Sequence, residues 1–385
     1  MPLLLCLVLT GLPSLAQLTD ADIEALRQEG VKKGWTFTVG ENAATKRPFE
    51  QLAGCVITQE VLDEAATKVA RPQMEEKSLP VRFDWREEVS APLPPIKDQG
   101  SCGSCWAFAT AGTLEWAIKV VDGDMVRLSE QLLLGCNTDP YYNNCDPGGF
   151  FAYKYYMNTP DMCGQSGAIL EADCPYLGRD DVCGCPYTHH YWIKDWTYVG
   201  GSLTLTPPPT EDIKAAIYTY GPVSSYMKIS ESLIAYTGGV YNNFESEKIE
   251  LTDHAVVIVG WDDSEGASGA WIVKNSWGTS WGEDGYGYME YGVSLIGVGA
   301  SYVIYGDALT VTPTVITATG GVGGPFYGSA DEVLLKNNGT EALTWSASGP
   351  SWLQLSASGG TLAAGGQAYL GVVPGAQAYT LSPGT

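Results

Sequence analysis

Leu3 to Leu12 is a mostly apolar run, too short to span a bilayer and long enough for the apolar core of an export leader. Ser14-Leu15-Ala16 follows with small residues at cleavage positions, so residues 1–16 are read as a signal peptide. From 17 to 78 the chain turns polar and charged. Apolar positions recur with helical spacing in Asp20 to Lys32 and Thr58 to Lys68, with few signs of a dense core, as expected of a pro-segment. From Leu79 to Gly306 the texture is rich in Trp, Tyr, Gly and Cys, and 79–306 is taken as the main domain. There, Cys105 to Val120 predicts a long buried helix with Trp106, Ala109, Leu114, Ala117 and Val120 inward. Ser129 predicts an N-cap for a helix through Leu134, and Glu211 to Tyr220 a third helix. The period then changes to that of strands at His254 to Val259, Ala270 to Lys274 and Gly285 to Tyr291. Helices first and strands later imply an α+β protein of two packed lobes. Residues 307–385 begin with a Thr-, Gly- and Pro-rich linker. They continue with short alternating runs, Leu343 to Ser346 and Trp352 to Ser356 among them, read as part of a small β-sandwich module.

Charge narrows the partners. The chain has 44 acidic and 21 basic residues, a formal charge of −23, which disfavours nucleic acid and anionic membrane surfaces and suits a soluble exported protein. No further stretch is long and apolar enough to span a membrane. Ten cysteines are present: Cys6 in the leader, Cys55 after it, and eight from Cys102 to Cys185. Their spacing matches no zinc-ligand pattern, so disulfides are expected and neither a metal nor an organic cofactor is. With Cys105 kept free, an odd number remains in the cluster, and one thiol is left over.

The segment Gln99-Gly100-Ser101-Cys102-Gly103-Ser104-Cys105-Trp106-Ala107-Phe108 carries the C-G-[SA]-C-[WY] signature of a nucleophilic cysteine. A helix N-terminus and a neighbouring imidazolium both favour thiolate, and Cys105 begins the predicted helix. The chain holds three histidines, and His254 opens an apolar strand at the downstream spacing expected of the partner. Asn275, further on, can accept the second imidazole proton and hold the ring. Together with Ser129-Glu130-Gln131, Cys145-Asp146-Pro147-Gly148-Gly149, Asp253-His254-Ala255-Val256 and Lys274-Asn275-Ser276-Trp277-Gly278, the block 79–306 resembles the papain-like cysteine peptidases of the cathepsin group.

The resemblance implies a helical lobe, a β-barrel-like lobe, and hydrolysis of peptide bonds through a Cys105 thioester. His254 would act as acid and base, Asn275 would orient it under Trp277, and the Gln99 amide and Cys105 N–H would bind the oxyanion. Gly148 and Gly149 would pair with the substrate backbone. Phe150, Ser225 and Ile304 would line the pocket for the side chain two before the cut, with an apolar preference. It further implies the disulfides Cys102–Cys145 and Cys136–Cys183. Lys248 and Gly299 stand where a third family bridge would be, Cys163 with Cys174 is a candidate local bridge, and Cys185 is then unpaired. The pro-segment is similar to the cathepsin B type through Gly34-Trp35-Thr36 and Gly40-Glu41-Asn42. It would block the cleft until cut near residues 70–80. His189 and His190 invite comparison with the paired histidines of an occluding loop but are read as surface residues. Asn337-Asn338-Gly339-Thr340 and Trp352-Leu353-Gln354-Leu355 resemble the immunoglobulin-like modules of bacterial exported enzymes. The expected protein is a monomer acting on proteins or peptides, outside the cell or in a lumenal compartment. A silent binding protein and a peptide ligase or amidase on the same fold are the competing readings.

Overall fold

The computed structural model describes residues 17–380 except 56, 58, 67, 69–78, 140–142, 147, 205, 244–252, 307, 308, 313, 314, 322, 323, 329, 330, 338–341, 364 and 365. The leader, most of the expected processing region, Thr58, Pro147, Lys248 and the 338–340 motif lie outside the described residues. The chain forms two compact units, Met1–Tyr305 and Gly306–Thr385.

Helix α1, Asp20–Lys33, begins with a capping box in which the Thr19 side chain accepts from Asp22 N–H while the Asp22 carboxylate accepts from Thr19 N–H. It ends at Gly34, whose φ of 69° is the left-handed conformation glycine adopts without strain. Strand β1, Thr36–Val39, then alternates exposed and buried positions. The described residues of 17–68, the expected pro-segment, build no core of their own. Leu26, Phe37, Val39 and Leu52 bury instead against Tyr236, Tyr241, Trp277 and Trp281 of the main domain. Apolar residues too sparse to close on themselves are thereby put to use on a partner surface. Helix α2 spans Gln59–Ala66, with Val61 and Ala65 buried.

The main domain is organised on one nine-stranded sheet. Its strands are β2 Arg82–Asp84, β3 Asp195–Tyr198, β4 Val223–Met227, β5 Tyr236–Tyr241, β6 His254–Asp262, β7 Ala270–Lys274, β8 Tyr286–Glu290 and β9 Val298–Ile304, with β1 joining from the pro-segment. The order is β1-β5-β8-β7-β6-β4-β9-β3, with β2 paired to β6. All of β6 is buried, longer than its apolar run alone predicts, because both faces are covered. Ala255, Val257 and Val259 belong to the cluster that holds Cys105, Leu114 and Ile118 of helix α3, Cys105–Asp122. Val256 and Ile258 belong to the opposite cluster with Ile213 and Ile217 of helix α5, Thr210–Tyr220. Helix α4, Glu130–Gly135, lies between these helices in sequence and is capped by the Ser129 hydroxyl, which accepts from Leu132 N–H at 3.0 Å.

Helix α3 is buried from Cys105 to Lys119, and its apolar character all round is what such a position requires. It carries one acid inside, Glu115. The Lys97 ammonium donates to Glu115 at 2.8 Å, Glu130 at 2.7 Å and the Leu128 carbonyl at 2.8 Å, so the buried charges are paired. The Ser129-Glu130-Gln131 motif is thus structural: a cap, an ion pair, and an amide donating to the Arg179 carbonyl at 2.5 Å.

The second unit is all β. A four-stranded sheet runs β10 Leu309–Thr312, β13 Glu332–Asn337, β17 Gln367–Pro374, β15 Leu353–Leu355, and two antiparallel strand pairs accompany it. These are β11 Ala318–Gly320 with β12 Phe326–Gly328, and β14 Leu343–Ser346 with β16 Gly359–Leu362. Its buried core is small: Val333, Leu335, Leu362 and Leu370.

Candidate active site

Cys105 is the first residue of α3 and is fully buried. The sequence places it where a helix terminus should favour thiolate, yet burial outweighs that and pushes its pKa up to about 12, against the help of main-chain groups at Ala255 and Trp106. The thiol is therefore neutral here. The Ala255 contact brings the start of β6 to the start of α3, which is how residues far apart in sequence meet.

His254 Nε2 lies 2.8 Å from Asn275 Oδ1. With Asn275 Oδ1 as acceptor, that nitrogen carries the proton. Nδ1 is buried with no hydrogen-bond partner. The Trp277 ring lies over the imidazole at 4.6 Å and 31°, itself fully buried, which keeps water from the His254–Asn275 bond. Burial pushes His254 down to about 4, partly offset by Asn275 and by the Leu52 main chain. The covered pair is uncharged.

Gln99 is held from two sides. Ser276 Oγ donates to its Oε1 at 2.8 Å, and Gln99 N–H donates to the Ser276 carbonyl at 2.9 Å. Its Nε2 donates to the carbonyls of Cys102 at 3.1 Å, Gln51 at 3.1 Å and Leu52 at 3.3 Å. Two of these acceptors belong to the pro-segment. Ser276 is a residue that sequence reasoning passed over although it stands inside the Lys274 to Gly278 motif; the signal was its place beside Asn275.

Residues 51–55 lie across this site. Gly149 N–H donates to the Gly54 carbonyl at 2.8 Å, and the Asp253 carbonyl accepts from Gly54 N–H at 2.8 Å and Cys55 N–H at 3.0 Å. Cys55 and Gly149 form a parallel bridge. The contact is backbone on backbone: a Cβ on Gly54 would meet the Gly103 carbonyl oxygen at 1.8 Å, and one on Gly148 would meet the Gly54 oxygen at 2.0 Å. Arg47 fastens the segment beside Gln99 by donating to both oxygens of Asp98 at 2.7 Å.

The structure thus brings Cys105, His254, Asn275, Gln99, Trp277, Gly148 and Gly149 to one place. Phe150 follows them, buried, with its N–H on Asn143 Oδ1. Ser225 and Ile304 are elsewhere. The Ser225 hydroxyl donates to the Tyr226 carbonyl and accepts from Gly297 N–H. Ile304 packs in the cluster on the far face of the sheet. Alternation along β4 puts Tyr226, not Ser225, on the face that Cys105 shares.

The disulfides Cys102–Cys145 and Cys136–Cys183 are formed. The local bridge is corrected: Cys163 pairs with Cys185, and Cys174 is the leftover thiol, buried against Leu132 and Ile169. Sequence separation alone cannot rank such pairings. The sulfurs of Cys136, Cys163 and Cys183 lie within 4.8 Å of one another, all three engaged in disulfides. His189 is also corrected. It is buried, between Asp161 Oδ2 at 3.0 Å and Gln165 Oε1 at 2.9 Å, while His190 is partly exposed. Neighbours in an extended segment point to opposite sides, so only one of the two faces outward. Among the described residues, no helix is long and apolar enough to cross a membrane.

Residues 79–305 match the papain family cysteine protease model, and the chain belongs to that family. It is 34% identical to mouse (Mus musculus) pro-cathepsin H over 224 residues, 57% of this chain and 63% of that protein. It is 38% identical to cathepsin L of Sarcophaga peregrina over 212 residues, 54% of this chain and 58% of that protein. In both cases the chain spans less than two thirds of the relative's length. Digestive procathepsin L 3 of Tenebrio molitor larval midgut superposes with a TM-score of 0.59 at 26% identity, over 74% of this chain and 88% of that one.

Proposed function

We propose that the protein is an exported cysteine endopeptidase, made as a latent precursor and acting as a monomer on proteins or peptides. The observation that carries this reading is the occupancy of the cleft by the chain's own residues 51–55, on the same groups that a substrate would need: Gln99 Nε2, Gly149 N–H and the Asp253 carbonyl. With that segment removed, water returns to the site, and the burial that holds Cys105 and His254 uncharged is relieved. Cys105 passes its thiol proton to His254 Nδ1, and the thiolate attacks the scissile carbonyl carbon. Gln99 Nε2 and Cys105 N–H receive the oxyanion, each such donor being worth roughly 3 kcal/mol. His254, oriented by Asn275, gives its proton to the leaving amine, and water hydrolyses the thioester.

The test is hydrolysis of fluorogenic peptides by the matured protein and by Cys105→Ala, with reductant, across pH 4 to 8. Turnover that disappears in Cys105→Ala and on thiol alkylation is the expected result. Turnover that survives the substitution overturns the assignment. Products that carry an added amine in place of water would move the protein to the ligases.

A further inference from the structure

The pro-segment is a template of what the cleft accepts. Cys55 bridges Gly149, gives its N–H to the Asp253 carbonyl at 3.0 Å, and is only 5% exposed. Its thiol belongs to the buried cluster that holds Cys105, Phe151, Tyr226 and Ala255; burial first, and then the nearby Cys105 thiol, disfavours ionisation of Cys55, and burial first, with Cys55 among the neighbours, does the same at Tyr226. Cys55 is a small side chain, and the reason for a small one lies beneath it.

Tyr226 projects from β4 opposite Ala255, the residue after His254. Its ring lies flat on Phe151, with centroids 4.3 Å apart and planes 2° from parallel. The Tyr226 ring cannot withdraw. A Cβ on Gly299 would meet the Tyr226 ring at 2.5 Å, so the backbone already touches its back. The glycine at the position of the absent family bridge is what makes room for the ring. Independently of the packing, the Tyr226 hydroxyl is buried without a well-formed hydrogen bond, the Phe151 main chain being its polar neighbour, in a place where a side chain from another segment is received.

We propose that Tyr226, stacked on Phe151 and backed by Gly299, closes the floor of the subsite for the residue two before the cut, so that the peptidase selects small side chains such as Ala, Ser and Cys and discriminates against Leu and Phe. This rests on the reading of Cys105 as the nucleophile and of Gly149 as the partner of that substrate residue. Discrimination by a pocket of fixed depth is of the order of tenfold or more per unaccommodated group.

Two measurements separate this proposal from the activity itself. In the full-length precursor, alkylation of Cys105 is followed by mass mapping for Cys55→Ala and Cys55→Phe. Protection retained in Cys55→Ala, lost at least tenfold in Cys55→Phe, and recovered when Tyr226→Ala is added to Cys55→Phe is the expected pattern. Equal protection in Cys55→Ala and Cys55→Phe overturns the proposal, with no hydrolysis needed. The matured protein is then given peptides that differ only two before the cut. An Ala over Phe preference of at least tenfold in kcat/KM, kept in Tyr226→Phe and reversed in Tyr226→Ala, supports it. Cleavage of the Phe peptide as fast as the Ala peptide overturns it while upholding the peptidase. If no peptide is cut, the activity reading fails and the alkylation series still decides the subsite.

Discussion

The hydroxyl of Ser276 donates to Oε1 of Gln99 at 2.8 Å, and with the Gln99 N–H on the Ser276 carbonyl at 2.9 Å it joins the strand side of the site to the loop that carries the cysteine. Ser276 follows Asn275, whose Oδ1 accepts both from Ser276 N–H and from His254. A single turn of chain therefore fixes the amide proposed for the oxyanion and the ring proposed for the proton. Ser276→Ala should lower kcat/KM by about fivefold, the equivalent of one neutral hydrogen bond of about 1 kcal/mol, with KM little changed. Steady-state kinetics on one peptide reads it.

Asn275→Ala should cost more. Its partner becomes an imidazolium during turnover, and bonds to charged groups are worth about 1.5–3 kcal/mol, or roughly 10- to 150-fold in kcat. The readout specific to positioning is the pH profile, whose alkaline limb, where the imidazolium loses its proton, should move to lower pH as the histidine loses an acceptor for its charged form.

Gly54 should be irreplaceable in the latent form. A Cβ there would stand 1.8 Å from the Gly103 oxygen, backbone that cannot turn aside. Overpacking of this kind costs about 1–3 kcal/mol, so a synthetic pro-segment bearing Gly54→Ala should bind the matured protein about 5- to 150-fold more weakly. Unchanged inhibition would mean that the segment seats differently in solution.

Acid should open the precursor. Burial lowers His254 from 6.5 to about 4 while it is covered, so uncovering takes up a proton between those values. Stability of the covered state is full above about pH 6.5 and declines as pH falls, by up to about tenfold in the opening equilibrium per pH unit. Hydrogen exchange at residues 51–55 in a Cys105→Ala precursor should rise as pH falls through this range, and His254→Gln should remove that rise, leaving the opposite dependence of Asp253, which burial raises to about 6. Cys105 acts at the other extreme: its covered pKa of about 12 makes uncovering release a proton only in alkali.

Lys97→Met should destabilise the main domain by about 3–5 kcal/mol, because Glu115 and Glu130 would be left buried without the ammonium that donates to both, Lys274 being the nearby cation that remains. Replacing all three with apolar residues of like volume should recover most of the loss. Chemical denaturation of the three proteins makes the comparison.

Much of this was legible without coordinates, and for a common reason. Cys105 at a helix start, His254 at a strand start, the Ser129 cap and the buried run of α3 are set by neighbours in sequence, through capping and through the spacing of apolar positions. That Tyr226 and not Ser225 is on the face of β4 shared with the cysteine needed the fold. What the tertiary structure alone decided were matters of distance across the chain. Cys163 took Cys185 and left Cys174, His189 went inside between Asp161 and Gln165, and a pro-segment with hardly a core of its own lent a strand to the sheet and laid Gly54 on Gly103. The charge state followed as well. A helix terminus is written in the sequence, but the burial that overrides it and holds Cys105 neutral comes from a segment some fifty residues upstream folding back over the cleft, and desolvation is a property of what surrounds a group in space.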